Sequence, residues 1–190
     1  MNKTTLFASV IIGMSVFAST GAMASTYDQL HGNWYVDFTK KMEDGSTMRI
    51  CGTEKFLANG TSRVQGQAIY YIPQTDKHFG EVIAIDLDSS NKVEIVDDKI
   101  IRTTSAVDNK LTEFYFINRG NVVDVSSPVM NKMYMDELAS YKSVVASLDM
   151  INQVQESTIV SVSPTHFVEL EDDDTSTESV KIKNVITECN

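Results

Sequence analysis

Residues 28–38 read Asp-Gln-Leu-His-Gly-Asn-Trp-Tyr-Val-Asp-Phe, and the chain's single tryptophan, Trp34, stands two residues after Gly32. From Asn33 onward the residues alternate. Trp34, Val36 and Phe38 fall on one side, and Asn33, Tyr35, Asp37 and Thr39 on the other. That is the period of a strand with one buried face. The stretch therefore predicts the first strand of an antiparallel β structure.

The same pattern recurs downstream. Asp44-Gly45 and Asn59-Gly60 are hairpin signals, and they bracket the strand-like run Thr-Met-Arg-Ile-Cys-Gly-Thr-Glu-Lys-Phe-Leu at 47–57. A third run covers 62–72, where Gly66 marks a bulge or a barrel bend. Residues 81–87 form a further run that ends at Asp-Ser-Ser-Asn, 88–91, and shorter runs follow at 92–98, 99–107, 111–117 and 122–126. Strands at such spacing, joined by short connections, predict a mostly β fold, a meander closed into a barrel or folded as a sandwich.

One segment breaks the period. Ser127 is a helix cap and Pro128 fits the first helical position. After them Met130, Tyr134, Leu138, Tyr141, Val145 and Leu148 recur every three or four residues, which predicts one late amphipathic helix over about residues 128–149. Strands resume at 157–163, 165–171 and 179–186. In the last, Val180 and Ile182 are expected on the buried face and Lys181 and Lys183 on the wet one.

Upstream, an apolar run at 6–18 leads to Ala22-Met23-Ala24, the pattern of a cleaved signal peptide. The expected organisation is a signal over 1–24 and one β-barrel domain over 25–190, exported to the periplasm or secreted. The formal net charge of −10 argues against nucleic acid and anionic membrane as partners, and no segment after the signal is apolar enough to span a membrane. Cys51 and Cys189 are the only cysteines. In an oxidising compartment they are expected to form one disulfide.

Leu30-x-Gly32-x-Trp34-Tyr35 resembles the first motif of the lipocalins, in which the tryptophan plugs the closed end of an up-and-down barrel. Phe56 followed by Asn59-Gly60-Thr61 resembles a hairpin of small lipocalin-like secreted bacterial domains. The resemblance implies a lipocalin-like barrel with Gly32 and Trp34 at its closed end. It covers about 30 residues. Asp37 departs from the motif, no arginine follows the helix to pack on the tryptophan, and at least two strands follow the helix where a lipocalin has one.

Catalytic signatures are lacking, so the chain is not expected to be an enzyme, and no cofactor is expected. His31, His78 and His166 stand alone, without a second ligand at metal spacing. The acidic run Glu169, Glu171, Asp172, Asp173, Asp174 lacks the spacing of a calcium loop and reads as a solvated turn. Met130, Met133 and Met135 offer soft sulfur of the kind that suits Cu(I), but Met130 and Met133 also fit the core stripe of the helix.

Two function classes follow. One is a binding protein for a small apolar or amphipathic ligand, with Tyr70, Tyr71, Phe114, Phe116 and Phe167 lining the barrel. The other is an envelope protein-interaction module with a filled barrel, such as an inhibitor, adhesion accessory or assembly factor. Its candidate surface is residues 116–130, where strand joins helix.

Overall fold

A computed structural model describes residues 27–147, 150–170 and 176–189. The expected signal and the acidic residues Glu171–Asp174 lie outside them. A single turn, α1 (Tyr27–Leu30), leads into β1 (Gly32–Lys41), β2 (Thr47–Leu57), β3 (Thr61–Ile72), β4 (Gly80–Val96), β5 (Lys99–Val107), β6 (Lys110–Asn118) and β7 (Asn121–Val122). The helix α2 (Pro128–Ser147) follows, then β8 (Val154–Val162), β9 (His166–Leu170) and β10 (Ser176–Ile182).

Eight strands close a ring in the order β1-β2-β3-β4-β5-β8-β9-β10, with β10 pairing back to β1. Every pairing in it is antiparallel. This is the expected up-and-down barrel, interrupted between β5 and β8 by β6, β7 and the helix. The helix begins where Ser127 caps it, its Oγ accepting from the amide of Met130 at 3.3 Å.

Strand β4 differs from expectation. The polar run 88–91 is no turn; it lies within one strand of 17 residues. Ser89 and Ser90 pair with Val64 and Arg63 of β3, and Asp88 takes two hydrogen bonds from Arg63 at 2.9 and 2.6 Å. Pairing along β3 overrides the local turn preference of those residues. On its other edge β4 changes partner: residues 80–86 pair with β6, and residues 89–96 with β5, across a bulge at Ser90/Asn91. The ring is thereby closed at one end, while at the other the sheet opens out around α2. The run at 122–126 forms only the two-residue β7.

Two glycines let β2 and β3 approach closely. Gly52 of β2 and Gly66 of β3 face each other in register. A Cβ on Gly52 would lie 2.7 Å from the carbonyl oxygen of Gln65 and from the Cα of Gly66, so only glycine lets the backbones approach this closely. The β2–β3 register runs past Gly66 without a shift, so this glycine marks no bulge and instead serves the close approach.

The interior has three layers. At the closed end Leu30, Trp34, Phe56, Val93, Ile100, Ile159 and Phe167 form one apolar cluster. At the wide end Met48, Ile50, Tyr70, Ile83, Phe114 and Phe116 pack with Tyr141 and Val145 of α2. Between them lies a polar layer of Glu54, Ser62, Asn91, Arg102, Ser157, Glu169, Thr177 and Ser179, one or two residues from each strand of the ring except β1.

Trp34, on β1, belongs to the closed-end cluster. Its Nε1–H donates to the carbonyl of Leu30 at 2.6 Å, and its ring meets Phe167 edge-on at 5.7 Å. Gly32 has φ +122°, and a Cβ there would fall 2.9 Å from Lys181 Cε. The missing side chain thus admits the Lys181 stem, whose Nζ lies 4.8 Å from the Trp34 ring centroid. The faces of β10 differ from the expected ones in part: Lys183 is exposed, but Val180 is 41 % exposed, Lys181 and Ile182 are both half-buried, and Thr177 and Ser179 are buried. The interior of the barrel is polar at this level, so the small hydroxyls point inward and the valine outward.

Candidate functional site

The polar layer is organised by Arg102. All five of its N–H groups are used. Nε and Nη2 donate to Glu54 at 2.8–3.2 Å. Nη1 and Nη2 donate to the two carboxylate oxygens of Glu169 at 2.8 and 2.7 Å, and Nη1 also donates to Ser157 Oγ at 2.7 Å. Ser62 Oγ donates to Glu54 at 2.6 Å, and Ser157 Oγ to Glu169 at 2.8 Å. The fork geometry of guanidinium suits two bidentate carboxylates. Burial acts to lower the Arg102 pKa, but the two carboxylates outweigh it and hold the charge firmly. Burial pushes the Glu169 carboxyl above its ordinary range, and Arg102 offsets this only in part. One guanidinium serves two acids.

Against this layer lies a cavity of about 20 Å³, bordered by Trp34, Val36, Phe38, Glu54, Glu169, Thr177 and Ser179. It is too small for an organic ligand, whose sites are of the order of ~300–1,000 Å³. A larger concavity, about 700 Å³, lies on the outer face of the barrel. Its floor is the outer surface of β3 and β4, and one wall is β6 with Lys110, Glu113 and Tyr115. The other wall is the C-terminal strap of Thr187, Glu188 and Cys189.

That strap crosses the barrel from β10. Asn33 Nδ2 donates to the carbonyl of Lys183 at 3.0 Å. Thr53 Oγ1 donates to the carbonyl of Ile186 and accepts from its amide, both at 2.9 Å. Cys189 is then bonded to Cys51, 138 residues away in sequence. The expected disulfide is present, and it forms one edge of the groove. The groove carries an excess of acids. Asp88 is engaged by Arg63 and Asp108 by Lys110, while Asp86, Glu113 and Glu188 have no cation within ion-pair distance among the described residues.

The aromatic residues expected to line the barrel separate into three places. Tyr70, Phe114 and Phe116 lie in the wide-end cluster, packed against the helix. Phe114 stacks on Tyr134 at 5.3 Å and leans on Tyr141 at 5.3 Å. Phe167 belongs to the closed-end cluster. Tyr71 is 45 % exposed on the outer face, because neighbours on a strand point to opposite sides.

The methionines do not converge. Met133 is 37 % and Met135 52 % exposed, and Met130 is half-buried. Residues two apart on a helix face different ways, so Met133 and Met135 cannot share an ion. Nor does Met133 join the core stripe; Tyr134, Leu138, Tyr141 and Val145 carry it. Glu169, read as part of a solvated acidic turn, is instead buried against Arg102.

His31 lies beside Tyr27, His78 borders a pocket of about 350 Å³ at the wide end, and His166 rests on Thr165 and Glu178. Among the described residues no three His, Cys, Asp or Glu side chains are placed to hold a metal ion, and no helix is long and apolar enough to cross a membrane.

In residues 116–130, Val122 and Val129 are 67 % and 80 % exposed, while Val123 and Val125 pack on the wide-end cluster. No protein-family model and no curated protein matches the chain.

Proposed function

We propose that the chain is an exported, non-enzymatic protein-interaction module whose barrel is a scaffold and whose outer groove receives a partner. The observation that carries this reading is the distribution of space. The interior is packed in three layers around a cavity of about 20 Å³, while the groove beside β6 and the strap encloses about 700 Å³. A ligand carrier of the kind the lipocalin resemblance implies needs that distribution reversed. The Cys51–Cys189 bond supports an oxidising compartment.

The groove is built for a polypeptide. It is bounded by a strap tied at both ends, it offers both apolar contact at Tyr115 and charge at Asp86, Glu113 and Glu188, and its acidic excess selects a partner with a basic surface. Site-directed photo-crosslinking tests the reading. A benzophenone amino acid replaces Tyr115 in the groove or Val160 on β8, and the cells that make the protein are irradiated. A discrete adduct from Tyr115 and none from Val160 is expected. Adducts from Val160 alone, or none from either position, contradict the assignment of the groove.

A further inference from the structure

The polar layer leaves one hydroxyl without a counterpart. Thr177 is 8 % exposed, and its Oγ1 is buried with no hydrogen-bond partner among the described residues. It borders the same small cavity as Glu54, Glu169 and Ser179. A hydroxyl sealed away from solvent and left unpaired is costly, so such a group is normally satisfied by something.

We propose that this cavity is a binding site for one water molecule, held between the Thr177 hydroxyl and the carboxylates of Glu54 and Glu169. The size fits: about 20 Å³ exceeds the roughly 10–15 Å³ that a single water needs. So does the chemistry. Each carboxylate takes three donors, two from Arg102 and one from Ser62 on Glu54 or Ser157 on Glu169, and a carboxylate has about four acceptor sites, so each keeps one for the water. A water has two hydrogens for the two acids and a lone pair for the threonine O–H. Two carboxylates against one guanidinium leave negative charge facing the cavity, which favours a hydrogen-bond donor there.

A bare cation fits less well. Trp34, Val36 and Phe38 form the remaining wall, and hard cations take six or more oxygens. The site stands on the interior alone and does not depend on what occupies the outer groove.

The test is a water–protein nuclear Overhauser measurement on the folded chain, with the Val36 methyl groups as reporter. Val36 borders the cavity and has no exchangeable side-chain proton to relay the signal. A Val36–water cross-peak with the sign of a long-lived bound water is expected. It is lost in Thr177→Val, which keeps the side-chain shape, and kept in Thr177→Ser. If Thr177→Val does not fold, wild type and Thr177→Ser still decide whether the water is there. Absence of the cross-peak in wild type overturns the proposal, as does its persistence in a folded Thr177→Val. Titration with sodium chloride separates the cation reading: saturable shifts at Val36 and Thr177 that extinguish the cross-peak make the site a cation site and overturn the water.

Discussion

Arg102 and Glu169, on β5 and β9, meet inside the barrel through two hydrogen bonds of 2.7 and 2.8 Å, with their side chains 2 % and 8 % exposed. With Glu54 they tie three non-neighbouring strands together across the interior. Arg102→Met leaves two buried carboxylates without a cation. The expected loss is about 3–5 kcal/mol of unfolding free energy, the scale for removing one partner from a buried ion pair, read from urea or guanidinium midpoints. A loss below about 1 kcal/mol contradicts the network as drawn, because that is the scale of an exposed pair.

The pH profile of stability follows from the same residues. Burial raises the Glu169 carboxyl in the folded state, so between its ordinary pKa and its raised one the folded protein binds more protons than the unfolded. Stability from this group is full below the ordinary glutamate range and is lost as pH rises through the raised value. Asp37 and Asp88 act in the opposite sense: hydrogen bonds from Arg49 and Arg63 lower them. Their contribution is full above about pH 4, the ordinary aspartate range, and is lost as pH falls through the lowered values. Thermal midpoints are expected to fall on both sides of a mildly acidic maximum. Glu169→Gln removes the alkaline limb and keeps the acidic one.

The Gly52–Gly66 pair is expected to reject even a methyl group. Gly66→Ala brings a Cβ within 2.8 Å of Gly52 Cα and forces the backbones apart. A destabilisation at or above the usual 1–3 kcal/mol of overpacking is expected. Gly120→Ala, whose Cβ meets nothing within 4 Å but whose φ is +80°, is expected to cost only about 1–2 kcal/mol, from strain alone. Equal effects contradict the close approach as the reason for Gly66.

Cys51 and Cys189 close a loop with a sequence separation of 138. The chain-entropy model assigns such a loop about 5 kcal/mol. The double replacement Cys51→Ser, Cys189→Ser is expected to lose up to that amount. It should also speed hydrogen exchange at the Ile186 amide, which is bonded to Thr53. Unchanged exchange at Ile186 means that the strap holds without its staple.

Much of the barrel is legible in the chain because alternation, glycine turns and the helix cap are local signals. Trp34-Val36-Phe38, the two hairpins and the Ser127 cap need no distant information. The single strand β4 does not announce itself, since Asp88–Asn91 is turn-like by composition and becomes strand only through its pairing with β3. The buried triad is partly legible in retrospect. Glu54 shares strand parity with Phe56, Arg102 with Ile100, and Glu169 with Phe167, so three charges stand on faces that apolar neighbours mark as inward. Nothing local says that the three meet at one level. The outer groove is not legible, because its walls come from β3, β4, β6 and a C-terminal strap fixed by a cysteine 138 residues away in sequence.

The claim that the barrel is a filled scaffold is tested most directly by a native mass spectrum of the protein purified from an oxidising compartment. The account predicts a bare chain two hydrogens lighter than its reduced form, with no small organic molecule attached. A retained molecule of defined mass, released on denaturation, contradicts the filled interior and makes the protein a ligand carrier.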